Sequence, residues 1–183
     1  MEVQPLAIPE VMLLRPRIHV DPRGYFFESY RERPYMELGI GPFVQDNVSR
    51  STRGVLRGLH LQHPQGQGKL VHVLVGEVFD VAVDVRVGSP SFGRWVGAKL
   101  SAENKLQLWI PEGFAHGFCV LSEEAVFAYK CTAEYSPETE LGVRFDDPDL
   151  AIDWPIADPL VSAKDAAHPR LRDIPEGRLP RHG

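Results

Sequence analysis

The sequence predicts an all-β fold, a sandwich or barrel of short strands, on three observations. Sixteen glycines and sixteen prolines are spread along 183 residues as punctuation and are not gathered in a linker. Between them lie short segments rich in Val, Leu and Phe at fairly even spacing, the pattern of antiparallel β architectures. One segment, Val78–Arg86, alternates strictly: Phe79, Val81, Val83 and Val85 share one face, while Asp80, Ala82, Asp84 and Arg86 share the other.

The elements follow in chain order. Arg17–Val20 is a first strand. Glu28–Leu38 has the composition of a helical turn or two, interrupted at Pro34. Phe43–Ser49 and Val55–Leu61 are the next strands. Leu70–Val75, punctuated by Gly76-Glu77 and followed by Val78–Arg86, is the clearest strand pair. Trp95–Leu100, Leu106–Ile110, Ala115–Leu121, Ala125–Cys131 and Gly142–Phe145 complete the strands. Ser162 is placed to cap a short turn running to Asp165, with the acid three residues on. Beyond His168 the chain is rich in Pro, Arg and Gly, and residues 169–183 are expected to be loosely ordered. The length suits one domain, 1–183, with a core of about 15–165.

Composition narrows the function. Acidic residues outnumber basic ones, 25 to 20, for a net charge of -5. That argues against a general nucleic-acid or membrane binder. Hydrophobic residues at 43% argue against disorder of the bulk of the chain. The first nine residues lack a basic start followed by an apolar run, and no apolar stretch reaches the ~20 residues of a membrane span. Cys119 and Cys131 sit in apolar text and read as reduced. These features predict a cytoplasmic protein.

Three polar groups interrupt apolar strand text: His60, His116 and Tyr129, with Arg57 and Lys69 close by in sequence. The interior of a barrel-like sandwich can hold a ligand, so inward polar groups there are functional candidates. A metal site is the lesser alternative: His60, His63, His72 and His116 are available, but in an extended segment His60 and His63 point to opposite faces, and no His-x-His pair with a following Glu is present. There is no Gly-x-Ser-x-Gly elbow. The glycines of Gln65–Lys69 precede a strand and are not a P-loop. General acid–base chemistry fits these residue types, with a His as base, a carboxylate such as Asp165 to orient it and a Tyr as acid.

Longer motifs carry a resemblance. They are Gln45-Asp46-Asn47, Arg53-Gly54-Val55-Leu56-Arg57-Gly58-Leu59-His60, Gln67-Gly68-Lys69, Gly76–Asp84, Trp109–Phe118, Tyr129-Lys130-Cys131-Thr132 and Ser162–Asp165. In this order the chain resembles the dTDP-4-dehydrorhamnose 3,5-epimerase family from about Arg15 to about Asp165. The resemblance implies a jelly-roll, cupin-like double-sheet barrel with short peripheral helices, working as a homodimer. It implies a dTDP-linked 4-keto-6-deoxy sugar as substrate, epimerised at C3 and C5 with no cofactor. On that basis His60 is expected as base, Tyr129 as acid, Asp165 as the partner of His60 and Lys69 as the enolate-stabilising group. His116 is expected to help position the sugar. Gln45, Asp46 and Asn47 match a base- and sugar-contacting strand. Arg57 and Lys164 match diphosphate contacts, Tyr135 a thymine-stacking aromatic and Glu140 a further binding position. Arg23 and Glu28 match a segment that reaches the partner subunit's site.

Overall fold

The computed structural model describes residues 1–183. Fourteen strands run in chain order as β1 (Glu2–Pro5), β2 (Met12–Arg15), β3 (Ile18–Asp21), β4 (Gly24–Phe27), β5 (Gln45–Thr52), β6 (Val55–Gln62), β7 (Lys69–Val75), β8 (Glu77–Asp84), β9 (Trp95–Ser101), β10 (Gln107–Ile110), β11 (Phe114–Val120), β12 (Glu124–Cys131), β13 (Glu140–Gly142) and β14 (Leu160–Val161). Two short helices, α1 (Glu32–Met36) and α2 (Ala163–Ala166), lie at the periphery. One sheet has the order β1-β2-β10-β7-β12-β5. The other has the order β13-β6-β11-β8-β9, with β14 beside β6. No helix is long and apolar enough to cross a membrane.

The main core lies between the two sheets. Val71, Val73, Leu108, Ile110 and Phe127 come from the first, and Val78, Ala82, Leu100, Phe114 and Phe118 from the second. The alternation of β8 is real, yet both of its faces are buried. Val81, Val83 and Val85 pack outward in a second cluster. Asp80 and Asp84, on the opposite face, are fully buried.

The covering of that outer cluster corrects the expectation for the C-terminus. Residues 169–183 are not loosely ordered: Leu171, Ile174 and Leu179 dock on Val81, Val83 and Val85. The buried Asp147 carboxylate accepts the Leu171 N–H at 2.7 Å, and Val87 bridges to Arg181. Three apolar side chains among the prolines and arginines join Leu150, Ile152 and Trp154 in covering a sheet face whose valines would otherwise meet water.

Other differences are local. Pro34 lies inside α1, where the N–H of the first helical turn has no intrahelical acceptor to lose. The Ile18–Asp21 strand has a partner, β4, joined by the two-residue turn Pro22-Arg23. Strands β1 and β2 form an edge hairpin, where Pro5 removes no needed donor.

Asp84 holds one end of the barrel. Its carboxylate accepts Arg86 Nη2 at 2.7 Å, Ser89 Oγ at 2.6 Å and Ser91 Oγ at 2.7 Å. Burial alone would raise its pKa, but these donors hold it down to about 2. Asp84→Ala would leave the mostly buried Arg86 guanidinium with Glu10 as its carboxylate partner and is expected to cost about 1–3 kcal/mol in denaturant unfolding. The folded-state value is depressed, so this contribution is present above the unfolded carboxyl range near pH 4. It is lost as pH falls toward 2, and the variant is expected to lose that part of its acid sensitivity.

Candidate active site

A cavity of 490 Å³ opens between the sheets, lined among others by Arg57, His60, Lys69, His116, Tyr129, Lys164 and Asp165. A second hollow of 210 Å³ shares His60, Lys69 and Tyr129 and adds Gln45, Asn47, Tyr135 and Glu140. The two form one elongated depression. Its walls come from different sheets: β6 supplies Arg57 and His60, β7 supplies Lys69, and β12 supplies Tyr129.

A bulge in β6 makes this possible. Across from β11, His60 opposes His116 while Arg57 opposes Phe118, so three steps on β6 match two on β11. In a regular strand, residues three apart face opposite ways. Here Arg57 and His60 both reach the cavity. Gly58 permits it: its φ is +127°, and a Cβ there would come 2.6 Å from Gly117 Cα.

The His60 ring is fixed by Asp165, 105 residues away in sequence, with Nε2 2.8 Å from Oδ1. Ser162 caps α2 by accepting the Asp165 N–H at 3.0 Å, and the other Asp165 oxygen accepts the Gly58 N–H at 3.1 Å. Burial would raise the Asp165 carboxyl, but His60 and Gly58 hold it below the usual range. The carboxylate therefore accepts and His60 Nε2–H donates, leaving Nδ1 as the basic nitrogen. Burial also pulls the His60 imidazole below its ordinary value, against the pull of Asp165.

Lys69 is buried, and its ammonium donates only to the His60 carbonyl at 3.5 Å. Burial lowers its pKa. Burial raises Tyr129, so its phenol is neutral and carries a proton to give at neutral pH. His116 Nε2 lies 3.0 Å from both oxygens of Asp80, and its ring stacks on Phe127.

At the mouth, Glu140 Oε2 accepts Tyr135 Oη at 2.8 Å and Lys164 Nζ at 2.5 Å. The Tyr135 N–H donates to Gln45 Oε1 at 2.7 Å, and Arg57 Nε donates to Ser51 Oγ at 3.0 Å. The Tyr135 ring is half exposed, a free aromatic face beside the second hollow.

A family profile described as dTDP-4-dehydrorhamnose 3,5-epimerase matches residues 5–173. The chain belongs to this family. It is 61% identical over 168 residues to the dTDP-4-dehydrorhamnose 3,5-epimerase of Pseudomonas aeruginosa, covering 90% of this chain and 93% of the relative. Among solved structures, dTDP-6-deoxy-D-glucose-3,5-epimerase RmlC from Legionella pneumophila, in complex with dTDP-4-keto-L-rhamnose, superposes with a TM-score of 0.97. It shares 56% identity, over 100% of this chain and 98% of that one. ChmJ, a 3'-monoepimerase from Streptomyces bikiniensis in complex with dTDP-quinovose, shares 37% identity at a TM-score of 0.91, over 97% and 92%. Membership of the epimerase family accounts for the fold anticipated from the motifs, a double-sheet, cupin-like barrel.

Of the residues anticipated in the depression Asp46 lies outside it, and Arg23 and Glu28, expected to reach the partner subunit's site, lie apart from it as well. Asp46 alternates with Gln45 and Asn47 on β5, so its side chain points away and pairs with Lys130 at 2.9 Å. Arg23, at the tip of the β3–β4 hairpin, pairs with Asp21 at 2.6 Å. Glu28 lines a separate 500 Å³ hollow with Arg17, His19 and Tyr35. Two residues that stand behind the site's histidines were not anticipated, Asp80 against His116 and His168 against His60. Asp80 could have been found as a carboxylate on a strand otherwise made of buried apolar residues. His168 could have been found as the residue three beyond Asp165, the spacing that puts both on one side of a helical turn. The donor atoms of His60, Asp165 and His168 lie within 4.8 Å of one another, so the histidine that joins His60 is His168 and not His63.

Proposed function

We propose that the protein inverts C3 and C5 of dTDP-4-dehydro-6-deoxy-D-glucose, giving dTDP-4-dehydro-L-rhamnose, with its own side chains as base, acid and enolate stabiliser. The observation that carries this reading is the placement of His60 and Tyr129 on opposite walls of one cavity, with Lys69 also in its lining. The C4 ketone of the substrate acidifies the hydrogens on C3 and C5. His60 Nδ1 takes one of them, and Asp165 stabilises the imidazolium that forms. The enolate oxygen develops its charge toward Lys69, a type of contact worth about 3–4 kcal/mol per donor in the transition state. Tyr129 then returns a proton to the opposite face of the carbon, which inverts it, and the cycle repeats at the second carbon. His116, held by Asp80, positions the sugar.

The nucleotide lies along the second hollow in this reading. Gln45 and Asn47 meet the base and deoxyribose, Tyr135 stacks on thymine, and Arg57 and Lys164 meet the diphosphate, with Glu140 orienting Lys164. The protein acts as a homodimer. Support comes from the β3–β4 hairpin, which leaves Val20, Tyr25 and Phe26 exposed around Arg23, an apolar arm suited to a second copy. Arg23 and Glu28 then serve the partner's site. The compartment is the cytoplasm, in keeping with two buried free cysteines.

Incubation with dTDP-4-dehydro-6-deoxyglucose in heavy water, read by NMR, tests the reading. Deuterium enters at both C3 and C5 with inversion at each. Deuterium at one carbon alone would assign the protein instead to the mono-epimerases, the activity named for its 37%-identical neighbour. No incorporation would sink both. The same assay separates the two proton-transfer groups. In Tyr129→Phe, inversion is expected to fall by about 10²–10⁴-fold. Exchange returned by His60 to the original face persists. Equal loss of exchange and inversion would remove Tyr129 from the role of acid.

A further inference from the structure

Proton transfer leaves His168 unused, although the fold holds it with care. Its ring rests on Gly142, where a Cβ would come 2.2 Å from ring atoms, and Gly142 is the residue paired with His60 across β13 and β6. The ring meets His60 edge-on, with centroids 5.8 Å apart. Its Nε2 is buried with no hydrogen-bond partner, 3.6 Å from Asp165 Oδ1. A buried imidazole nitrogen left unsatisfied is rare and calls for an explanation.

The donor geometry supplies one. His60 Nε2 and His168 Nε2 lie 2.8 Å and 3.6 Å from the same carboxylate oxygen. Around a tetrahedral zinc ion with bonds of about 2.0–2.2 Å, donor atoms stand roughly 3.4 Å apart. The two observed separations bracket that value, and the three donor atoms all lie within 4.8 Å of one another. Two imidazoles and one carboxylate suit zinc and its neighbours rather than magnesium or calcium.

We propose that His60, Asp165 and His168 form an inhibitory site for a zinc-class divalent cation. The inference rests on His60 as the base. A metal bound at His60 Nε2 takes the place of the proton donated to Asp165. The neutral ring then carries its single proton on Nδ1, the nitrogen that would accept the substrate's proton. The base becomes a donor, and turnover stops. Gln45, Asn47 and Tyr135 contribute no ligand atom, so the nucleotide end keeps its affinity.

The test titrates zinc chloride into the metal-free protein by calorimetry and follows deuterium exchange in parallel. One saturable zinc per chain is expected. Exchange should fall in step with occupancy, while dTDP binding stays within about twofold. His168→Phe keeps a ring over Gly142 and removes the ligand. It should weaken zinc binding at least tenfold, a typical minimum for disturbing a metal's immediate support, with metal-free exchange within about twofold. Should that variant misfold, His168→Gln serves instead. The proposal fails if zinc does not bind saturably, or if a folded His168 variant binds it as tightly as the parent protein, since the ion then sits elsewhere. Absence of exchange in the metal-free parent protein would count against the epimerase reading alone, because calorimetry reports the zinc site without substrate.

Discussion

His60→Asn is expected to lower deuterium incorporation at both carbons by about 10²–10⁴-fold, the range for loss of a positioned general base, with dTDP affinity retained. No neighbouring imidazole can take over. His116 is committed to Asp80 through Nε2, and the His168 Nε2 is turned to Asp165, behind the ring it would have to replace. Asparagine is too short to reach Asp165, but that carboxylate keeps the Gly58 N–H and Ser162 still caps α2, so the fold and the nucleotide-binding hollow are expected to stay in place. The measurement is single-turnover exchange in heavy water, with dTDP binding recorded on the same sample. Exchange within tenfold of the parent protein would show that another group abstracts the proton.

Asp165→Asn should be about as damaging, although no atom of the base is touched. One Asp165 oxygen accepts the Gly58 N–H at 3.1 Å and the other accepts from His60 at 2.8 Å. An amide has a single oxygen. The Gly58 N–H can only donate, so the oxygen goes to Gly58 and the NH₂ group faces His60. His60 Nε2 must then accept, which moves the ring proton to Nδ1. A comparable exchange of carboxylate for amide behind a catalytic histidine costs about 10⁴-fold in kcat through the wrong tautomer. Circular dichroism should show an intact fold, because Ser162 still caps α2 through the backbone of residue 165. A loss below tenfold would mean that Asp165 does not set the tautomer.

The strands were legible because their signals are local. Alternation in Val78–Arg86 and the glycine punctuation around it depend only on neighbours in sequence, and the corresponding strands, β7 and β8, start or end within about two residues of the expected limits. The edge hairpin β1–β2 and the bridge strand β14 were not legible. They are four residues long or shorter, and pairing rather than composition makes them strands. Asp46 was misplaced for a related reason. A motif identifies neighbouring residues together, while the pleat sends Gln45 and Asn47 to one side and Asp46 to the other.

The sequence by itself determined the all-β class, most of the strands and, through its motifs, the family and most of the polar residues that line the depression. Only the tertiary structure decided which of them meet. The His60–Asp165 contact closes a loop of 105 residues, and no local pattern encodes such a closure. The β6 bulge that turns Arg57 and His60 to one side depends on Gly58 passing close to Gly117 on another strand. The C-terminal segment is polar in composition, yet it is ordered by the valine face of β8 that it covers. His168 acquires its place only because Gly142, on β13, leaves room for its ring.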